Sequence, residues 1–103
     1  LSTHKFVVLY PPPANPEAFR EYYVTTHLPL VAALPGMRAS RYSFDVAALE
    51  GESPYFAIFE AEFDDAAAMG RAFGSPEGQA VQADVPNYAT GGAIVLHYPV
   101  SVP

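Results

Sequence analysis

Apolar and polar positions alternate between two periods along this chain. Lys5 to Tyr10 is a β-branched and aromatic run, KFVVLY, stopped by Pro11-Pro12-Pro13, and it predicts a first strand. Asn15 is a good helix N-cap, Pro16 suits the first helical position and Glu17 complements the positive helix end. Phe19, Tyr22, Tyr23 and His27 then recur at spacings of three and four, which puts them on one side of a helix running to about Leu28. Pro29 has no N–H and its ring crowds the carbonyl of Thr25. A kink or end is therefore expected near Leu28, with a short second segment from Pro29 to Leu34. Pro35-Gly36 is a turn.

From Met37 to Val46 the period becomes two. Ser40, Tyr42, Phe44 and Val46 share one face, and Ala39, Arg41, Ser43 and Asp45 share the other, as in a half-buried edge strand. Ala47 to Pro54 reads as a loop and Tyr55 to Phe63 as a third strand. Asp64 is placed to cap a helix over Asp65 to Phe73, ended by Gly74. Ser75-Pro76-Glu77 starts another helical stretch to about Asp84, and Val85 to Asn87 turns the chain. Gly91-Gly92 leads into a fourth strand, Ala93 to Tyr98, ended by Pro99.

The order is β-α-β-β-α-β. It predicts one α+β, ferredoxin-like domain over 1–103, with a four-stranded antiparallel sheet and the helices on one face. That plan leaves the other sheet face uncovered. Yet Val7 and Leu9, Ile58, and Leu96 alternate with residues that are themselves apolar, so both faces of these strands ask for cover. A symmetric homodimer with sheets packed face to face is expected.

The composition narrows the chemistry. With 103 residues, half of them hydrophobic and 16% charged, a folded domain is expected rather than disorder. The absence of cysteine excludes disulfides, thiolate catalysis and Cys-based metal sites, and it fits a reducing compartment, so a cytoplasmic location is expected. A net charge of −6 with five scattered basic residues argues against nucleic acid and anionic membrane as partners. No apolar run reaches membrane-span length. The chain begins at Leu1 rather than at methionine, which leaves open where the encoded protein starts. No G-x-G-x-x-G is present, and Gly91-Gly92 lacks the lysine and the strand-to-helix setting of a phosphate loop.

His27 is the leading catalytic candidate, because an imidazole can take and give a proton near neutral pH. The alternative is a structural histidine that ties down carbonyls freed by Pro29. Tyr22 and Tyr23 are candidates to bind a substrate or polarise its oxygen, though an aromatic stripe also suits a core; only one of the two can point straight at the sheet. Tyr42 and Phe44 are expected to line or flank the cleft. Glu60 is a candidate partner of His27, against the simpler option that Glu60 and Glu62 pair with Arg41 or Arg38 across a hairpin. His4 and His97 sit at strand ends, where solvation is expected, and no metal site or cofactor is called.

The run F-x-x-Y-Y-x-x-x-H-x-P-L from Phe19 to Leu30, the Pro35-Gly36 stop and the element order resemble the EthD family of dimeric α/β-barrel proteins, over about residues 4–100. The resemblance implies a catabolic homodimer with one cleft per subunit between sheet and helices. It also implies an association with degradation of an ether fuel additive, and a reductase or oxidoreductase activity on a small aromatic or oxygenated compound with His27 as acid or base. Neighbouring families imply one alternative, a cofactor-free isomerase or cyclase of the muconolactone-isomerase type. A second alternative, of another class, is a non-catalytic ligand-binding accessory subunit of an oxidase system with His27 merely structural.

Overall fold

The computed structural model describes residues 3–103. Strand β1 (His4–Tyr10) leads into helix α1 (Pro16–Tyr22), a π-helical turn (Tyr23–His27) and helix α2 (Leu28–Ala32). Strands β2 (Ala39–Phe44) and β3 (Ala57–Phe63) follow. Helices α3 (Ala66–Gly74) and α4 (Pro76–Asp84), a 3-10 turn (Val85–Asn87) and strand β4 (Ile94–Pro99) complete the chain. The sheet has the order β2-β3-β1-β4 with every neighbouring pair antiparallel. This is the ferredoxin-like α+β plan. Its shortest dimension is 17 Å, room for one sheet and one helical layer only.

Register assigns each strand residue to a face. Val8 stands opposite Phe59 on one side and Val95 on the other, and Phe59 stands opposite Tyr42. Phe6, Val8, Tyr10, Ala57, Phe59, Ala61 and Phe63 therefore share the helix side and form its buried core. Val7, Leu9, Ile58, Ile94, Leu96 and Tyr98 alternate with them and face away from the helices. Phe19 and Tyr23 drop from the α1 side onto this core, and their rings stack at 5.4 Å. At the open end of β2, Asp45 adopts φ 56, where its carboxylate takes a two-pronged ion pair from Arg20 at 2.7 and 2.8 Å.

The expected boundaries shift at several points. The break expected near Leu28 takes the form of the π-helical turn ending at His27, and the short second segment is α2, which starts at Leu28 and stops at Ala32, before Leu34. The cap of α3 is Asp65, whose side chain accepts from the Ala68 N–H at 2.7 Å; Asp64 instead pairs with Arg38 at 3.2 Å. One further residue of extended chain thus lies between β3 and the helix. Pro99 does not stop β4 but pairs with His4, because on an edge strand its missing N–H is needed by no neighbour. His4 is buried, and its Nε2 lies 2.8 Å from Nδ1 of His97, so this strand-end pair is bonded rather than solvated. No helix is long and apolar enough to cross a membrane among the described residues.

Helices α3 and α4 meet at Gly78, where a Cβ would overlap the backbone of Ala72 and Phe73. This contact sets the spacing of the two helices. Gly78→Ala should lower stability by about 1–3 kcal/mol, the usual range for overpacking, read as a lower urea midpoint with unchanged m. A neutral effect would show that the helices part at no cost.

Candidate active site

Two side effects of sequence build the π-helical turn. Pro29 cannot bond to the Thr25 carbonyl, and the Thr25 hydroxyl takes the Glu21 carbonyl at 2.7 Å. The Leu28 N–H then reaches back five residues to Tyr23. The widened turn ends on His27, which is only 2% exposed and points inward. Its ring stacks on Tyr23 at 5.3 Å and lies 4.5 Å from the ring of Tyr88.

Nδ1 of His27 is 2.9 Å from Oδ2 of Asp84, the last residue of α4. The other oxygen of Asp84 accepts from the Tyr22 hydroxyl at 2.6 Å and from the Asn87 amide at 3.0 Å. Burial pushes the Asp84 carboxyl up, but the hydrogen bonds from Tyr22, Asn87 and His27 together outweigh it and hold the pKa below its ordinary value. Asp84 is thus an ionised acceptor. Burial lowers the pKa of His27 by more than the bond and charge of Asp84 raise it, so the ring is neutral. An acceptor-only carboxylate requires the proton on Nδ1, which leaves a lone pair on Nε2.

His27 forms part of the wall of a cavity of about 320 Å³ between the helices and the sheet. Phe6, Val8, Phe59 and Val95 line it from the sheet, and Val31, Val81 and Val85 from the helical side. Among the described residues its polar lining is His27, Tyr10, Tyr23 and Gln82, and no Lys or Arg contributes. Behind the wall, the Tyr10 and Tyr88 hydroxyls lie 2.7 Å apart, and Tyr23 donates to Tyr10 over 3.5 Å. Burial raises the pKa of all three phenols, so they stay protonated. Three hydroxyl protons serve two oxygen–oxygen links, which leaves one proton for another acceptor.

Of the residues picked from sequence, His27 and Tyr23 meet at the cavity, whereas Tyr22 does not line it: its hydroxyl bonds Asp84, the partner of His27, and its ring borders a separate depression with Asn87 and Tyr88. Tyr42 is half exposed and borders a separate depression with Leu28, Met37 and Ser40. Phe44 packs on Phe56 and Phe19 in the aromatic core. Glu60 does not join His27. It alternates with Phe59 onto the opposite sheet face and pairs with Lys5 at 3.0 Å, while Glu62 pairs with Arg41 at 2.9 Å. The carboxylate beside His27 is Asp84, 57 residues away in sequence. One signal pointed to it: an acid at a helix C-terminus opposes the helix dipole and calls for a partner. Tyr10 and Tyr88 gave no comparable signal. No three His, Asp or Glu side chains gather as a metal site among the described residues.

A model of the EthD domain matches residues 11–92. The chain belongs to the EthD family. This EthD-family chain is 38% identical over 95 residues to an uncharacterized 11.0 kDa protein of the thcB-thcC intergenic region of Rhodococcus erythropolis, covering 90% of each. It superposes on an ethyl tert-butyl ether D (EthD) family protein from Bacillus halodurans with a TM-score of 0.87 and 29% identity, covering 93% of this chain and 96% of that one. A dimeric ferredoxin-like protein from Thermobifida fusca shares the fold at a TM-score of 0.73 and 15% identity, covering 96% and 92%.

The neutral, Nδ1-protonated form of His27 makes a testable statement. By nitrogen-detected NMR, His27 should titrate below the ordinary histidine value of 6.5, and in Asp84→Asn it should fall further, because the supporting charge is gone. The unfolded chain binds this proton more readily than the folded one. His27 therefore removes stability as pH falls below 6.5 towards its own lower pKa, and contributes nothing above. A His27 that titrates above 6.5 would contradict this assignment.

Proposed function

We propose that this EthD-family chain is a homodimeric enzyme of the cytoplasm that moves a proton on a small, neutral, aromatic or oxygenated compound. Nε2 of His27 acts as general base and then as general acid. The observation that supports this most is the 2.9 Å contact between His27 and Asp84 in the wall of an otherwise apolar cavity. A carboxylate fixed on Nδ1 selects the tautomer and stabilises the imidazolium that forms when Nε2 accepts a proton. Tyr10 lines the cavity and accepts from Tyr23; with Tyr88 donating across their 2.7 Å link, the Tyr10 hydroxyl keeps its own proton for the substrate oxygen on which negative charge develops. Return of the same proton to another atom of the substrate completes an isomerisation or cyclisation with no net loss or gain. An oxidoreductase of this family would share the proton step, with its electrons exchanged with a separate agent. The lack of any lysine or arginine in the lining favours a neutral ligand over an anion.

The homodimer rests on the sheet face away from the helices. Ile94, Leu96 and Tyr98 are 40%, 50% and 45% exposed there, beside Val7, Leu9 and Ile58. The ion pairs Lys5–Glu60 and Arg41–Glu62 share this face. A row of large apolar side chains on one face of an edge strand is covered in a stable fold, and a second copy offers the same row.

His27→Ala should lower kcat by about 10²–10⁴-fold on any compound the wild type turns over, with the circular dichroism spectrum and assembly unchanged. Full activity in that variant would remove the mechanism, and tight binding by the wild type with no product over hours would identify a carrier instead. Sedimentation should give twice the chain mass, and Leu96→Lys should release monomers. A wild-type monomer at micromolar concentration would overturn the dimer.

A further inference from the structure

Gln82 is the polar side chain of the cavity wall that the proton-transfer scheme leaves without a role. It lies on α4, lines the cavity and is also solvent-exposed, so it stands at the rim. Its Nε2 donates to the Phe73 carbonyl at 3.0 Å and to the Gly78 carbonyl at 3.0 Å. Both amide hydrogens are thereby engaged. A flipped amide would set its oxygen against two carbonyl oxygens, so the side chain has one orientation. The close approach of Gly78 to Ala72 and Phe73 keeps the Phe73 carbonyl in place. What remains is Oε1, an acceptor with no partner among the described residues and little freedom to lose on binding.

His27 and Gln82 both line the cavity, and each carries an acceptor, Nε2 and Oε1, that no donor among the described residues takes. A carboxylate or phosphate ligand would meet two lone pairs and no cation. A neutral molecule with two donors meets two complementary groups. We propose that Oε1 of Gln82 accepts a hydrogen bond from a substrate hydroxyl, so that the substrate class is a neutral cyclic or aromatic compound bearing a hydroxyl away from the group whose proton His27 moves. The choice of His27 as the other anchor rests on the function proposed above; the role of Gln82 does not depend on turnover.

The test is calorimetric titration of the full chain, without oxygen, with hydroquinone and with 4-methoxyphenol, which differ by methylation of one hydroxyl. The wild type should bind hydroquinone about three- to tenfold more tightly, the size of one hydrogen bond. Gln82→Lys keeps N–H donors for both carbonyls but has no acceptor, and it should abolish the difference; Gln82→Met should do the same if the lysine variant folds poorly. His27→Ala should lose turnover and the difference as well, because the one remaining acceptor then meets one hydroxyl of either compound. The proposal is overturned if the wild type does not distinguish the two compounds or binds neither at millimolar concentration. It is equally overturned if the difference survives in the Gln82 variants, as a purely structural cap of α3 would allow. A difference that depends on Gln82 in a protein without turnover would keep the binding role and remove only the acid–base function.

Discussion

The hydrogen bond between His27 and Asp84 holds the site together. It joins the end of the π-helical turn to the end of α4, two segments 57 residues apart in sequence, and it does so at a point where both side chains are buried. A carboxylate there would be costly without compensation. Tyr22, Asn87 and His27 each donate to it, and together they keep it ionised. The same bond fixes which nitrogen of His27 carries the proton. Stability and chemistry thus meet in one contact: the donors that make a buried charge tolerable also prepare the free nitrogen on the cavity side.

That contact depends in turn on a disturbed helix. A regular α-helix would continue its bonding pattern through Thr25, but the Thr25 hydroxyl and Pro29 both interfere, and the turn widens by one residue. The change re-aims every side chain after it relative to Tyr23. His27 is the last residue of the widened turn, and its ring stacks on Tyr23 and touches Tyr88. The aromatic wall is not passive packing alone. Its buried phenols remain protonated and carry one more hydroxyl proton than they use among themselves.

Periodicity carried most of the fold. The two-residue alternation of Ala57, Phe59, Ala61 and Phe63 and the three- and four-residue spacing of Phe19, Tyr23 and His27 reflect burial on one face, which is a local property of sequence. The caps at Asn15 and Ser75 are likewise local, each accepting from an N–H three residues on. Less of the site was legible. His27 stood out because Pro29 marks it, but its partner did not. Glu60 and Asp84 are both carboxylates distant in sequence from His27. Strand register turns Glu60 away from the helices to Lys5, and the packing of α4 beside the widened turn brings Asp84 onto His27. Likewise, the bonded pair of His4 and His97 follows from the pairing of β1 with β4, which joins residues 93 apart.

Strand β4 links the two halves of the proposed function. Alternate residues of this edge strand serve different sides: Val95 lines the cavity, and Leu96 faces away from the helices. Both remain about half exposed in the single chain. The helices leave β4 uncovered, so its position rests on its pairing with β1 and on the His4–His97 contact. A second copy packed on Leu96 and Tyr98 would hold the strand from the other side and steady the wall that Val95 gives to the cavity. On that arrangement, assembly contributes to the site without supplying a catalytic group. The partner stiffens one wall, α4 sets the acceptor at the rim, and the widened turn sets the base.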